Sequence, residues 1–236
     1  MIATRLREYP FILFLCVFVL QLTGLTALAD HPGHKLDEVM GGKEKYFQVI
    51  DKPAPDFILQ DADGRMVALD DMQDKIVVLH FVYAGCPDIC PLHAELIAEI
   101  QEMIAQTPMK NRVRFVTVTT DPDNDTAEVM KDYGPAHGLE TGNWTFLTKR
   151  PEQKEDATRK LAERFGHKFI KSESGYQTHS SVTHIIDKGG RWAANFHGLK
   201  FKPVNLVLCL NGLSHNTPPA KAPAEASFWQ RLRELF

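Results

Sequence analysis

Ile76-Val77-Val78-Leu79-His80-Phe81-Val82-Tyr83-Ala84-Gly85-Cys86-Pro87-Asp88-Ile89-Cys90-Pro91 is the stretch that decides the fold of this chain. Positions 76–82 read as a central strand buried on both faces, with His80 a core residue of it, and a helix is expected over 89–106. A strand that runs into a cysteine-bearing turn and then a helix delivers both sulfurs to the helix N-terminus. Unpaired backbone N–H groups and the positive end of the helix dipole favour thiolate over thiol there. Spaced i, i+4, the sulfurs of Cys86 and Cys90 project to one side of a helical turn. Such a pair suits redox chemistry or a soft metal ion.

Outward from this unit, strands and helices alternate. Phe57-Ile58-Leu59-Gln60 and Met66-Val67-Ala68-Leu69 flank Asp61-Ala62-Asp63-Gly64-Arg65 and read as a hairpin. Val113 to Thr119 alternates as a second central strand, Asp125 is expected to cap a helix ending near Tyr133, and 144–147 is a short strand. An amphipathic helix follows over 152–165. Strands over 181–186 and 192–196 meet at Asp187-Lys188-Gly189-Gly190, and Pro203 opens a short buried helix that Gly212 is expected to stop. The pattern describes a central sheet sandwiched by helices.

The chain has 236 residues, 44% hydrophobic and 24% charged, enough for a real core and too apolar for disorder. A formal net charge of -3 offers no basic face, so nucleic-acid binding is set aside. Residues 1–29 read as an export signal: Arg5 and Arg7, an apolar core over 11–22, then Ala27-Leu28-Ala29 before Asp30. An uncleaved membrane anchor is the competing reading, and either one puts the working domain outside the cytoplasm, in the periplasm of a bacterium. Removing Cys16 with the signal leaves Cys86, Cys90 and Cys209, one close pair and a remainder rather than a disulfide framework. Cys209 reads as a small core hydrophobe.

Pro53-Ala54-Pro55-Asp56-Phe57-Ile58-Leu59, the Cys-Pro-x-x-x-Cys-Pro element, Thr120-Asp121-Pro122-Asp123-Asn124-Asp125-Thr126 and Val204-Asn205-Leu206-Val207-Leu208 together resemble the SCO/SenC family. The resemblance runs from about Pro53 to Leu213. It implies an α/β, thioredoxin-like three-layer sandwich with a central mixed sheet, flanking helices and an N-terminal β-hairpin. It also implies copper, as Cu(I) or Cu(II), bound by two cysteines and one distant histidine, and a role in assembling the dinuclear copper site of cytochrome c oxidase. The family histidine lies at the start of the strand leading to the Asp-x-x-Gly turn. His179 fits that position, while His184 falls inside the strand and reads as a hydrogen-bonded core residue. Cys86, Cys90 and His179 are therefore the expected metal ligands. The family often carries Asp just before the ligand, and this chain has Thr178, which removes a carboxylate that would orient the imidazole.

On this reading the domain spans 53–214, after a polar leader over 30–52. A Pro/Ala linker over 215–226 and an amphipathic C-terminal helix over 227–236 follow, the helix set to lie on a membrane surface or on the domain itself. The expected partners are the copper-bearing subunit of cytochrome c oxidase and other periplasmic copper carriers or thiol reductants. The rival function is a thiol-disulfide reductase with Cys86 and Cys90 as its catalytic pair. Against it stand three intervening residues instead of two, Gly85 where exported reductases usually have Trp, and no proline before the 182–186 strand. His93, one turn beyond Cys90, reads as an exposed helix residue or a transient copper contact. Asp88 and Asp121 read as loop acids that a partner can meet. Asp30-His31-Pro32-Gly33-His34 is a loose Cu(II) candidate at the mature N-terminus.

Overall fold

A computed structural model describes residues 32–171, 177–178 and 180–215 of the chain. The segment read as an export signal, His31, His179, most of the 215–226 linker and the 227–236 helix lie outside the described residues. Among the described residues no helix is long and apolar enough to cross a membrane.

The elements run α1 (Pro32–Met40), β1 (Phe47–Pro53), β2 (Ile58–Asp61), β3 (Met66–Ala68), β4 (Ile76–Val82), α2 (Ile89–Ala105), β5 (Val113–Thr119), α3 (Ala127–Ala136) and β6 (Trp144–Thr148). They continue with α4 (Ala157–Arg164), β7 (Ile170–Lys171), β8 (Gln177–Thr178), β9 (Val182–Ile186), β10 (Arg191–His197) and α5 (Pro203–Ser214). Eight strands form one mixed sheet in the order β1-β10-β9-β4-β5-β6-β2-β3, and β7 pairs with β8 in a separate ribbon. β4, β5 and β6 are parallel, and the other neighbours are antiparallel. The continuous apolar reading of β4 follows from this place: every residue of it is buried, because both sheet faces are covered.

The strand period sorts the core into two layers. Ile76, Val78 and Val82 point to the face packed by Leu36 of α1, Ile97, Ile100 and Ile104 of α2, Met130 and Tyr133 of α3, and Leu206 and Leu210 of α5. Val77, Leu79 and Phe81 point to the opposite face, against Leu161, Ala162 and Phe165. Cys209 lies fully buried in the first layer, as expected for a small hydrophobe, and burial pushes its thiol up to about 12. Each fully buried large side chain contributes about 1.5–3 kcal/mol of transfer free energy.

The structure corrects several sequence expectations. The leader carries two elements that apolar periodicity did not announce: α1 packs Leu36 and Met40 into the core, and β1 pairs with β10. The helix expected from 152 starts at Ala157, because residues 151–156 are turns held by the Gln153 side chain, which accepts from Arg150 N and donates to Ile58 O. The last helix runs through Gly212 to Ser214, since its apolar face continues with Leu213. Thr126, not Asp125, caps α3, accepting from Val129 N.

The β9–β10 turn supplies a pH-dependent term. Asp187 accepts from Arg191 N at 3.0 Å, and burial, opposed by this bond and the Arg191 charge, raises its carboxyl from 3.8 to about 6. The folded protein therefore holds this proton more tightly than the unfolded chain. Its contribution is complete below about pH 4 and is lost as the pH rises through 6. Asp187→Asn keeps an acceptor for Arg191 N without the titration. Relative to the parent it should gain about 3 kcal/mol well above pH 6 and little at pH 4, read from urea midpoints across that range.

Candidate metal centre

β4 ends at the turn that holds the two cysteines. Cys86 N donates to Tyr83 O at 3.1 Å, closing the turn before α2 begins at Ile89. Cys86 is therefore not on the helix, and Cys90 is in its first turn. The convergence expected from helical spacing is produced instead by the turn folding back. Each sulfur lies within hydrogen-bond reach of the other. Both residues are buried, while Gly85, Pro87 and Asp88 are exposed around them, so the pair sits just beneath the surface. Among the described residues neither cysteine is in a disulfide.

The two thiols differ in acidity. Burial raises Cys86, but the backbone N–H groups of Asp88 and Cys90, the Cys90 thiol and the Tyr83 side chain outweigh it, and the net shift is downward. Burial pushes Cys90 well above the ordinary thiol range, and the neighbouring Cys86 and Asp125 charges add to it. The proton of Cys90 is thus the harder of the two to remove.

Asp125 braces this turn from beneath. Its buried carboxylate accepts from the Thr119 hydroxyl and from Ala84 N, at 3.2 Å to each oxygen, tying the end of β5 to the residue two before Cys86. Burial raises its pKa against those two bonds. Tyr133 on α3 donates to Cys90 O at 3.1 Å, fixing the first turn of α2 from another side. The expected cap residue is thus a buried support of the cysteine turn; the signal was its place after the β5 strand, one residue ahead of a better cap. Asp88 is an exposed loop acid at the N-cap position, and its side chain makes no capping bond. Asp121 accepts from Asn124 Nδ2 in a local turn.

One histidine does not stand where the sequence put it. His93 is 2% exposed: its Nε2 lies 2.8 Å from Thr183 Oγ1 and its Nδ1 3.2 Å from Ser181 Oγ. It is neither an exposed helix residue nor available to hold copper. The stripe Cys90, Ala94, Ile97, Gln101 and Ile104 already marks the buried face, and position 93 belongs to it. His80 is a core residue as expected, 3.3 Å from Thr117 Oγ1, with its ring centroid 4.9 Å from that of His93. His184 is buried and hydrogen-bonded, also as expected. Its Nε2 meets His167 Nε2 at 2.8 Å and its Nδ1 meets Asn195 Oδ1 at 2.7 Å. Burial holds its pKa well below 6.5, with the nearby His167 adding to the effect, so it is neutral in the folded protein.

His179, the expected third ligand, lies outside the described residues, but both sides of it are placed. Thr178 pairs with Ile170 in the β7–β8 ribbon, and Ser180 and Ser181 lead into β9. Among the described residues no three His, Cys, Asp or Glu side chains form a group able to hold a metal ion.

The comparisons with known proteins agree with this architecture. The SCO2-like protein of Rickettsia prowazekii is 31% identical over 147 residues, covering 60% of this chain and 67% of that protein. The solved structure of BsSco, described as a member of the Sco family of cytochrome c oxidase assembly proteins and as having a disulfide switch, superposes with a TM-score of 0.63 at 20% identity. It covers 72% of this chain and 98% of that one. The copper-bound structure of Bradyrhizobium japonicum ScoI gives a TM-score of 0.55 at 24% identity, over 68% and 99%. The mixed sheet with its flanking helices is thus the thioredoxin-like fold of these proteins. With the SCO1/SenC family model matching residues 50–207, from the end of β1 into α5 and across the cysteine turn, the chain belongs to the SCO1/SenC family.

Proposed function

We propose that this chain is an exported copper carrier that holds one copper ion through Cys86, Cys90 and His179 and passes it to the dinuclear copper site of cytochrome c oxidase. The observation that carries this reading is the cysteine turn itself. Two buried sulfurs lie within reach of each other at the end of the central strand, one thiol acidified by backbone donors, beneath an exposed Gly85-Pro87-Asp88 rim. Thiolates select Cu(I), and an added imidazole makes the site acceptable to Cu(II). Three protein ligands leave room for an incoming thiolate, so a recipient can displace them one at a time. Family membership supports the assignment, as do copper in the Bradyrhizobium japonicum relative and the oxidase-assembly role described for BsSco. On this reading residues 1–29 are an export signal, and the carrier works in the periplasm or at the outer face of the inner membrane. Other copper carriers or thiol reductants would load or reduce the site.

Titration of the purified chain with Cu(II) tests this. One equivalent should produce sulfur-to-copper charge-transfer bands and nitrogen hyperfine structure, and His179→Ala should remove the nitrogen signature. A parent that binds no copper, or a nitrogen signature that survives His179→Ala, would refute the ligand set.

One observation favours a second reading. The low thiol of Cys86 beside the high thiol of Cys90 is the arrangement of an attacking and a resolving cysteine, suited to reducing a disulfide in a recipient before metallation. Reductase turnover undiminished in His179→Ala, from a parent that binds no copper, would select that reading.

A further inference from the structure

Four lysines from two distant parts of the chain meet beside the cysteine turn. Lys43 and Lys45 lie in the loop between α1 and β1, Lys200 and Lys202 in the loop between β10 and α5, and all four are exposed. Glu44 joins the two loops. Its Oε2 accepts from Lys202 N at 3.0 Å and from Asn205 Nδ2 at 2.8 Å, and its Oε1 accepts from Tyr46 N at 3.1 Å. Asn205 Nδ2 also donates to Lys43 O, and His197 N donates to Tyr46 O. The one carboxylate in these loops is thus turned onto backbone and amide donors, and among the described residues none of the four lysines is in an ion pair. A chain of net charge -3 therefore carries a local positive patch, which the separation of the two loops in sequence concealed.

The sheet topology puts this patch at the cysteine end of the domain. β4 runs into the cysteine turn. β10 is parallel to β4, because both pair antiparallel with β9, and it runs into the loop of Lys200 and Lys202. β1 starts at the same end, since Phe47 pairs with Phe196. β10 and β1 lie two and three strands from β4, so the patch stands roughly 10–15 Å to one side of the sulfurs. Exposed apolar side chains occupy the ground between. α2 and α5 pack side by side and both lead away from this end, Leu92 on the first just after Cys90, Val204 and Leu208 on the second a turn apart, and all three are exposed. On the other flank of the turn the charge is of opposite sign, with Asp88 and Asp123 exposed.

A standard protein interface covers about 800 Å² on each partner, enough to span the patch, the apolar strip and the turn together. An apolar centre with charge at its edge is the usual composition of such a contact. A lipid surface laid on the same lysines would cover the cysteine turn, whereas a protein docked there brings its own ligands to it. We propose that Lys43, Lys45, Lys200 and Lys202, with Leu92 and Val204, form the docking surface for an acidic face of the protein that receives copper. The lysines steer the encounter, and the apolar strip seats the partner over the cysteine turn. This inference rests on the copper-carrier reading and adds the chemistry of the recipient: carboxylates grouped to one side of its metal site, at a distance matching that between the lysines and the sulfurs.

The test follows copper transfer from the copper-loaded whole chain to the copper-free soluble domain of the copper-bearing oxidase subunit, as a second-order rate over a range of salt. Lys45→Glu/Lys200→Glu reverses two charges of the patch. Lys110→Glu/Arg112→Glu makes the same change in net charge at exposed positions at the opposite end of the sheet, just before β5. The patch variant should transfer about 10-fold or more slowly at low ionic strength, because rim charges act mainly on the association rate. It should converge with the parent at about 1 M salt, where the Debye length is ~3 Å. Both variants should keep the parent's copper affinity, and the control should keep its transfer rate. Leu92→Ser/Val204→Ser should shorten the lifetime of the complex and leave its salt dependence unchanged. A patch variant that transfers at the parent's rate, or a loss matched by the control, would overturn the docking surface and leave the carrier reading intact. Capture of the parent but not the patch variant by phosphatidylglycerol–phosphatidylcholine vesicles, with transfer unaffected, would overturn it in favour of a lipid surface. A parent that binds copper and passes none to the subunit domain would overturn the recipient and the docking surface together.

Discussion

Cys90→Ala is expected to remove tight copper binding while leaving the domain folded. Cys90 is 1% exposed and bordered by Tyr133, so the variant leaves a small cavity costing roughly 1 kcal/mol. The effect on the metal is far larger. Tight sites with thiolate ligands are worth on the order of 10–16 kcal/mol for structural zinc, and a three-ligand site that loses a sulfur gives up about a third or more of such a sum. That is at least ~200-fold in affinity. Titration against a competing chelator, with Cu(I) and Cu(II) separately, should show it. The same variant should slow alkylation of Cys86 at neutral pH, since the Cys90 thiol helps hold the Cys86 pKa down and its removal lets the value rise. Copper affinity within tenfold of the parent would mean that Cys90 is not a ligand.

The second large effect is on stability, at Asn195. This residue is 5% exposed, and its side-chain oxygen accepts from two donors, Trp192 Nε1–H and His184 Nδ1–H, each at 2.7 Å. Asn195→Leu leaves both without a partner in a layer lined by Phe81, Phe165 and Trp192. A buried donor left unsatisfied costs about 1–3 kcal/mol, so the pair should cost about 2–5 kcal/mol, a large part of a domain's total stability. Urea unfolding at pH 7.5 measures it. Combining Asn195→Leu with Trp192→Phe, which removes one of the donors, should cost less than the sum of the two single changes. Strict additivity would show that the oxygen does not serve both groups.

The parts of this fold legible in the sequence are those in which one physical signal acts alone. β4 reads as a buried strand because both of its faces are covered, and α2 because its stripe from Cys90 to Ile104 is uninterrupted. The β2–β3 hairpin follows from Asp61-Ala62-Asp63-Gly64-Arg65, where Gly64 has a φ of 77°. β1 did not announce itself because it is an edge strand of mixed burial with a register break between Val49 and Lys52, which erases the alternation. Tertiary contacts hid the rest. Asp125 looks like a helix cap until Ala84 of the cysteine turn and Thr119 at the end of β5 meet it, and His93 looks polar until Ser181 and Thr183, just before and within β9, meet it. The cysteine turn was read from its own residues. The expected third ligand, His179, came only with the family resemblance, since nothing local to residue 179 distinguishes it from the other histidines.

The pairing of β1 with β10 sets when this molecule can finish folding. Residue 47 finds its sheet neighbour at residue 196, and β4 needs both β5 downstream and β9 much later to be enclosed. A chain emerging from its N-terminus therefore shows both thiols, and the apolar strand ahead of them, long before the last strands arrive to cover that strand. During that interval the dithiol is open to oxidants and stray ions, and assembly is slower than in a protein built from near-neighbour contacts.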